Sequence, residues 1–221
     1  MPGRQLVMDL ASDPSLGRDD FLASPANLAA RERLAATDSW RRGVLVLTGP
    51  VASGKSHLAA IWAEDHAAAV FSARQIVRAD QVRAAPAVVV EDCDAGFADE
   101  TLLFHLFNEA ATAPRPILMT ARAEPGTWPL ETRDLASRLR GADSVTIDPP
   151  DDELIAALFV KHCADRQLAI EAPALKAALP RVERSYAFVR DVVAELDRET
   201  LSQQRPLTRG LVLRTLEGMA G

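Results

Sequence analysis

The sequence predicts an α/β fold, in which a parallel sheet with helices on both faces is followed by a small all-helical lid domain. Strand-like and helix-like segments alternate between residues 21 and 148, which is typical of a parallel sheet with helical crossovers. A short glycine-containing loop joins the first strand to the next helix. No strand-like segment follows Pro149 and Pro150, so the rest of the chain is predicted to be helical.

The order of these segments gives the domain boundaries. Residues 1–20 are polar and rich in Pro, Gly and Ser, and are predicted to be a mobile tail. The α/β domain covers residues 21–148, with apolar, strand-like runs at residues 44–48, 70–71, 87–90, 116–120 and 144–148. Helical patterns precede, separate or follow these strands at residues 27–40, 58–62, 99–110 and 133–139. The lid domain covers residues 149–221, with helices at residues 151–167, 173–179, 185–201 and 208–219.

The composition indicates a globular protein of the cytoplasm. The 221 residues fit one domain or a domain with a small appendage, and 48% of them are hydrophobic. A net charge of -6 argues against a dedicated nucleic-acid surface. Cys93 and Cys163 have no metal or redox spacing and are expected to be reduced. Neither a membrane span nor a signal peptide is evident, so no membrane association is expected.

The loop after the first strand has the spacing G-x-x-x-x-G-K-S of a P-loop, with the residues Gly49, Pro50, Val51, Ala52, Ser53, Gly54, Lys55 and Ser56. Glycines allow backbone N–H groups to surround phosphate oxygens, and the helix that follows directs its positive end at the anion. Lys55 reaches the β- and γ-phosphates, while Ser56 is placed to bind Mg²⁺. A chance glycine turn with a surface lysine is the alternative, and the strand–loop–helix context argues against it.

Two carboxylates follow the apolar run at residues 87–90. A P-loop enzyme needs a carboxylate at the end of a neighbouring strand to hold the Mg²⁺ shell, and Glu91 occupies this position. Asp92 comes next, where a carboxylate can orient the attacking water, and is the predicted catalytic acid. Acidic residues are also common where a strand meets solvent, but the P-loop upstream favours the metal role. Glu91 is one methylene longer than the usual Asp, which predicts weak intrinsic hydrolysis.

A P-loop sheet domain followed by a helical lid resembles the AAA+ ATPases, and short strings resemble the clade of the bacterial replication initiator DnaA. Residues 21–27, F-L-A-S-P-A-N, are similar to the F-V-x-G-x-x-N segment of that clade, which implies that Asn27 takes part in adenine binding. Residues 54–58, G-K-S-H-L, are similar to its G-K-T-H-L string and add His57 to the nucleotide site.

Two further strings of the DnaA clade imply functional arginines. Residues 134–139, D-L-A-S-R-L, resemble the box VII string, which implies that Arg138 is an arginine finger acting in trans on a neighbouring subunit's nucleotide. Residues 190–196, R-D-V-V-A-E-L, resemble R-E-L-E-G-A-L and imply that Arg190 is the sensor 2 arginine of the lid. A solvated surface position is the alternative for both.

One string departs from the clade. Residues 119–122 read M-T-A-R where DnaA has L-T-S-D, so Arg122 stands in place of the sensor 1 acid. A cation can contact phosphate at this position but does not polarise water as a carboxylate would. Thr120 and Arg122 are therefore secondary candidates for the site.

The predicted tail contains the string Q-L-V-M-D-L at residues 5–10. It resembles the peptide by which bacterial proteins dock on the replication sliding clamp. Leu6, Met8 and Leu10 would fill apolar pockets, and Gln5 would make orienting hydrogen bonds. An ordinary amino-terminal strand or a disordered tail is the alternative.

Together these strings resemble the Hda type of DnaA-like regulator. The resemblance implies that the chain binds ADP or ATP with Mg²⁺, docks on the sliding clamp and promotes hydrolysis of DnaA-bound ATP, which limits re-initiation of DNA replication. DnaA and the clamp would be its partners, and a homo-oligomer is compatible with chemistry in trans. Direct sequence-specific DNA binding is not expected, because the seven arginines between residues 181 and 214 are interspersed with acids.

Two alternatives come from other functional classes. A helicase-loader-like or other AAA+ ATPase acting on nucleic-acid machinery would have strong intrinsic ATPase activity, against which Glu91 and Arg122 argue. A P-loop kinase of a small metabolite would need an arginine-rich lid inserted in the α/β domain, and no such insertion is recognisable in the sequence.

Overall fold

One sheet of parallel strands organises the amino-terminal part of the protein. The computed structural model describes residues 17–75, 79–112, 115–203 and 206–219. Within them the sheet has the order β2-β3-β4-β1-β5, and its strands are β1 (Val44–Thr48), β2 (Ala69–Ser72), β3 (Val88–Glu91), β4 (Ile117–Ala121) and β5 (Asp143–Thr146). All pairings are parallel. The strands therefore all end at one edge of the sheet, here called the carboxyl edge, and all begin at the opposite amino edge.

Helices cover both faces of the sheet. They are α1 (Pro25–Ala35), α2 (Lys55–His66), α3 (Ala79–Ala84), α4 (Glu100–Ala110) and α5 (Arg133–Arg140). Because side chains alternate along a strand, Leu45 and Leu47 of β1 pack with α1 and α2, whereas Val44 and Val46 pack with α3, α4 and α5. The predicted parallel sheet with helices on both faces is confirmed.

The remaining elements are helical, as predicted: α6 (Asp152–Asp165), α7 (Ala172–Ala178), α8 (Tyr186–Gln203) and α9 (Arg209–Met219). Asp151 begins α6 as its N-cap, since its carboxylate accepts the N–H of Leu154 at 2.7 Å. The helices share a separate apolar core around Phe159, Val193 and Leu216.

Tyr186 connects this helical core to the sheet. Its side chain is buried in the cluster of the α1–α2 face, and its hydroxyl donates to the backbone oxygen of Asp148 at 2.9 Å. Burial, followed by the nearby carboxylates of Asp148 and Asp151, raises the pKa of Tyr186 to about 12. The hydroxyl therefore stays protonated as a donor over the whole physiological pH range.

Several predicted boundaries were wrong in detail. Helix α1 ends at Ala35, so Trp40 is not helical. Trp40 folds back instead, with only 4% exposure, and its indole N–H donates to the carbonyl oxygen of Arg33 at 2.8 Å. Helix α3 was not predicted, and the fifth strand ends at Thr146 rather than at residue 148. A 3-10 turn at Arg18–Asp20 places ordered chain before residue 21.

Candidate functional site

The P-loop lies at the carboxyl edge, between the buried strand β1 and the start of α2. Gly54 is the N-cap of α2, with a φ of 90°. A Cβ atom added to Gly54 would lie 3.1 Å from the ring of Phe21, and one added to Gly49 would lie 3.0 Å from the Ser53 hydroxyl. Both glycines are therefore required by close packing as well as by backbone conformation.

Lys55 spans the loop to which it belongs. Its ammonium donates hydrogen bonds to the carbonyl oxygens of Gly49 at 2.9 Å and Pro50 at 2.7 Å. Burial lowers the pKa of Lys55, although neighbouring carboxylates act in the opposite direction. The cation is thus held over the loop whose N–H groups would surround a phosphate.

Two buried oxygen atoms in this region have no hydrogen-bond partner in the structure, namely Ser53 Oγ and Glu91 Oε1. A buried oxygen without a partner costs about 1–3 kcal/mol, so such atoms mark positions where a bound group is expected. Ser56, in the first turn of α2, is exposed. A serine hydroxyl and one carboxylate, completed by water and phosphate oxygens, form a donor set that fits Mg²⁺.

The end of β3 brings the predicted acids to the same edge. Glu91 is the last residue of β3 and, by strand alternation from Val89, faces the side of the sheet covered by α2. Asp92 follows with a left-handed φ of 59°, and its N–H donates to the Thr120 hydroxyl of β4 at 3.3 Å. This bond ties Asp92 to Thr120 beside the P-loop, where an exposed carboxylate can orient water.

Arg122 comes directly after β4 and is paired with Asp94. The backbone N–H of Arg122 donates to Oδ1 at 3.0 Å, and its Nε donates to Oδ2 at 2.8 Å. Burial of Asp94 raises its pKa, but the hydrogen bonds and charge of Arg122 outweigh this, so the pKa lies below its ordinary value. Both charges influence the pKa of Lys55, which locates the pair beside the P-loop. Asp94 was not among the site residues predicted from the sequence, although it is the third acid within residues 91–94.

The segment before α1 covers the start of α2. Asn27 is 3% exposed, and its side chain accepts the N–H of Ser24 at 3.1 Å and donates to the carbonyl oxygen of Leu22 at 2.9 Å. Both polar groups of Asn27 therefore hold this segment in place rather than pointing to open space. His57 packs edge-on against Phe21, with the ring centres 5.2 Å apart.

Arg138 lies in the last turn of α5, at the amino edge. Its guanidinium carbon is 4.7 Å from the centre of the Phe104 ring of α4, a cation–π contact. Arg138 lines a cleft with Arg41, Arg42 and Val44, which lead into β1, whereas the P-loop follows the other end of β1. That strand spans about 13 Å, so Arg138 and the chain's own P-loop lie at opposite edges of the sheet.

Helix α4 also holds the start of α5. The Glu100 carboxylate accepts the N–H groups of Glu131 and Thr132, both at 2.8 Å. Burial raises the pKa of Glu100, but these hydrogen bonds together hold it below its ordinary value. Glu100 and Phe104 are one helical turn apart, so one face of α4 positions both ends of α5.

Arg190 lies one turn after Tyr186 on α8 and forms an ion pair with its neighbour Asp191, with 2.8 Å between Nη2 and Oδ1. Among the described residues, no hydrogen bond joins Arg190 to the P-loop. The structure thus brings together the P-loop, Glu91, Asp92 and Thr120 at the carboxyl edge, while Arg138 lies at the amino edge. The clamp-binding string of Gln5, Leu6, Met8 and Leu10 lies outside the described residues.

The described residues contain neither a clustered metal site nor a membrane-spanning helix. No group of three or more His, Cys, Asp or Glu side chains there is arranged to hold a metal ion. None of the helices in these parts of the chain is both long and apolar enough for a membrane span.

Comparison with known proteins identifies the fold. No protein-family model and no curated protein matches the sequence. Domain III of the replication initiator DnaA from Thermotoga maritima matches the structure with a TM-score of 0.71 at 15% identity, over 93% of this chain and 97% of that chain. AMPPCP-bound DnaA from Aquifex aeolicus matches with a TM-score of 0.63 at 14% identity, over 87% and 70% of the two chains. The RuvB branch migration motor of Thermotoga maritima matches with a TM-score of 0.60 at 16% identity, over 85% of this chain and 67% of that chain. The chain has the AAA+ fold.

Proposed function

We propose that this chain is a DnaA-related AAA+ regulator of the Hda type. It binds an adenine nucleotide with Mg²⁺, docks on the sliding clamp and promotes hydrolysis of the ATP bound to DnaA, and thereby limits re-initiation of DNA replication. The observation that carries the proposal is the position of Arg138 at the amino edge of the sheet, in a cleft remote from the P-loop of its own chain.

Nucleotide binding is supported by the chemistry of the carboxyl edge. Lys55 and the backbone N–H groups of the P-loop supply positive charge and donors for a phosphate chain. Ser56 and Glu91 would hold the Mg²⁺ shell, and the cation would neutralise charge on the β- and γ-phosphate oxygens. Asp92 would orient water. Matching DnaA structures contain AMPPCP, which favours an adenine nucleotide as the ligand.

Two features favour a regulator over an independent motor. Glu91 replaces the shorter acid expected at the Mg²⁺ shell, and Arg122 holds a cation where the DnaA clade has an acid. Both changes predict at most weak hydrolysis at the chain's own site. Arg138, by contrast, is oriented by Phe104, and such a preorganised guanidinium can stabilise the transition state of a nucleotide bound elsewhere.

Single-turnover hydrolysis on DnaA tests this proposal. DnaA loaded with labelled ATP is mixed with the chain and DNA-loaded clamp, and conversion to ADP is followed. The wild-type chain should accelerate hydrolysis. Arg138→Ala should abolish the acceleration, because an arginine finger increases the rate of hydrolysis about 10³–10⁵-fold. Clamp binding should stay intact in this variant.

Two variants serve as controls. Arg140 is exposed on the same helix and does not line the cleft, so Arg140→Ala should behave as wild type. Gln5→Ala/Leu6→Ala should remove clamp binding and the clamp-dependent part of the stimulation. Full stimulation by Arg138→Ala would show that this arginine is not a finger.

A second candidate is a helicase-loader-like or other AAA+ ATPase acting on nucleic-acid machinery. It is favoured by the arrangement of the carboxyl edge, where Asp92 is joined to Thr120 beside Lys55, and by the structural match to RuvB. This function predicts ATP hydrolysis by the purified chain alone, increased by single-stranded DNA and lost in Lys55→Ala. Hydrolysis that appears only when DnaA is added would reject it.

A further inference from the structure

We propose that the cleft around Arg138 is a three-arginine phosphate site, in which Arg41 and Arg42 contact the phosphate chain of a nucleotide held by another AAA+ subunit. The inference deepens the proposed function, on which it rests, and adds two residues to the single finger. The site would take a di- or triphosphate chain rather than a base or a sugar, because its donors are guanidinium groups.

Two separate elements bring the three arginines together. Arg41 and Arg42 belong to the 3-10 turn that precedes β1, and Arg138 belongs to the last turn of α5. The cleft between them also contacts Phe107 and Gly141. Three arginine residues thus line one small opening at the amino edge, on the side of the sheet covered by α4 and α5.

The positive charge of this cleft is not compensated within the described residues. None of Arg41, Arg42 and Arg138 forms an ion pair with a carboxylate of these residues. Asp143, beside the turn, accepts the backbone N–H of Arg41 at 2.8 Å and is paired with Arg33. Like charges at close range repel each other, and this clustering occurs in a chain whose net charge is -6. An anion with several negative oxygens would relieve that repulsion.

The backbone holds the two additional arginines in a defined place. Arg42 and Gly43 are both left-handed, with φ values of 56° and 70°. A Cβ atom added to Gly43 would lie 3.2 Å from the carbonyl oxygen of Ala110, so the turn packs tightly against the end of α4. Arg138 is held by Phe104 in turn. With the backbone of the turn and the Arg138 guanidinium already placed, only the exposed side chains of Arg41 and Arg42 lose freedom when a phosphate binds.

The first arm of the test measures binding of a free phosphate chain. Lys55→Ala is introduced to disable the P-loop, and this chain is titrated with inorganic tripolyphosphate by calorimetry. Arg41→Ala/Arg42→Ala in the same background should weaken binding about tenfold or more, since each charge-assisted hydrogen bond contributes about that factor. The exposed control Arg140→Ala should leave the affinity unchanged.

The second arm measures stimulated hydrolysis on ATP-loaded DnaA, with the P-loop intact. Arg41→Ala/Arg42→Ala should reduce the stimulated rate about tenfold or more, and Arg41→Lys/Arg42→Lys should restore part of it because the charge is retained. Both positions are exposed, and the melting temperature of each variant is compared with wild type to exclude a folding defect.

The two arms separate the proposals. Loss of both effects in Arg41→Ala/Arg42→Ala supports a cleft that takes its phosphate chain from a partner. If wild type stimulates and Arg138→Ala abolishes stimulation, the regulator stands. If in that case Arg41→Ala/Arg42→Ala changes neither the stimulated rate nor tripolyphosphate binding in the Lys55→Ala background, the three-arginine site is overturned. If wild type does not stimulate but tripolyphosphate binding depends on Arg41 and Arg42, the cleft stands as a site for free phosphate chains and the regulator is rejected. If wild type does not stimulate hydrolysis and the Lys55→Ala chain does not bind tripolyphosphate, both the regulator and the phosphate site in the cleft are rejected.

Discussion

Substitution of Phe104 by leucine should release the guanidinium of Arg138. The two groups are 4.7 Å apart, within the 6 Å range of cation–π contacts, and both side chains are half-buried. Such contacts contribute about 0.5–1 kcal/mol when exposed and about 2 kcal/mol when desolvated, so we expect a coupling free energy of about 1 kcal/mol. Leucine fills much of the ring volume but has no quadrupole to attract the cation.

A double-mutant cycle measures this coupling in the isolated protein. The free energy of unfolding is determined in urea for wild type, Phe104→Leu, Arg138→Ala and the double variant. The change in the free energy of unfolding for Arg138→Ala alone is ambiguous, because this substitution also relieves repulsion from Arg41 and Arg42. That effect is the same with Phe104 and with leucine at position 104, so it cancels in the coupling free energy. The control cycle pairs Phe104→Leu with Arg140→Ala and should give no coupling. A coupling below about 0.3 kcal/mol for Phe104 and Arg138, which is the error of additivity, would refute the idea that Phe104 orients the finger.

Three other predictions concern the nucleotide edge and its links to the rest of the chain. Ala52 has a left-handed φ of 63°, which costs an alanine about 1–2 kcal/mol, partly offset by the greater entropy of glycine in the unfolded chain. Ala52→Gly should therefore raise the free energy of unfolding by about 0.5–1 kcal/mol, and a lower urea midpoint would contradict this. Tyr186→Phe removes the donor to the Asp148 carbonyl and should destabilise the chain by about 1 kcal/mol, with unchanged unfolding cooperativity; an unchanged midpoint would show that this bond contributes nothing. The folded-state pKa of Asp94 is lower than its unfolded value of about 3.9, so its stabilisation is present above pH 4 and is lost as the pH falls through the folded pKa. Asp94→Asn should show a shallower decline in stability below pH 4 than wild type, and identical profiles would remove the Arg122 pair from the pH response.

The carboxyl edge was predictable because its information is local in sequence. The apolar run of β1, the two glycines of the P-loop and Lys55 stand within residues 44–56, and the acids Glu91 and Asp92 directly follow a second apolar run. Parallel strands of buried residues end at one edge, so the sequence sufficed to bring these groups together. Asp94 was missed because only the register of β3 with β4 places it opposite Arg122.

The contact of Arg138 with Phe104 could not be predicted from the sequence in the same way. Phe104 precedes it by 34 positions and has no distinguishing neighbour in sequence, and a half-buried aromatic residue on an apolar helix is ordinarily a core residue. Similarly, the hydrogen bonds by which the Asn27 side chain holds the turn before α1 were not predicted, and its part in adenine binding stays a prediction. Side-chain contacts between distant segments depend on the packing of helices on the sheet, and a helical pattern specifies only which face is buried.

The separation of Lys55 from Arg138 restricts how this chain can act on another. Lys55 and the P-loop lie at the carboxyl edge of the sheet, whereas Arg41, Arg42 and Arg138 lie at the amino edge. Under the proposed function, a nucleotide shared between two AAA+ subunits would therefore lie between unlike surfaces. Such a contact is heterologous, because each subunit presents a different edge to its neighbour, and it does not close as a two-fold dimer. A chain with a weak site of its own can still supply the arginine edge to a partner's nucleotide. The cation–π contact of Arg138 with Phe104 would hold the guanidinium at this edge for such a role.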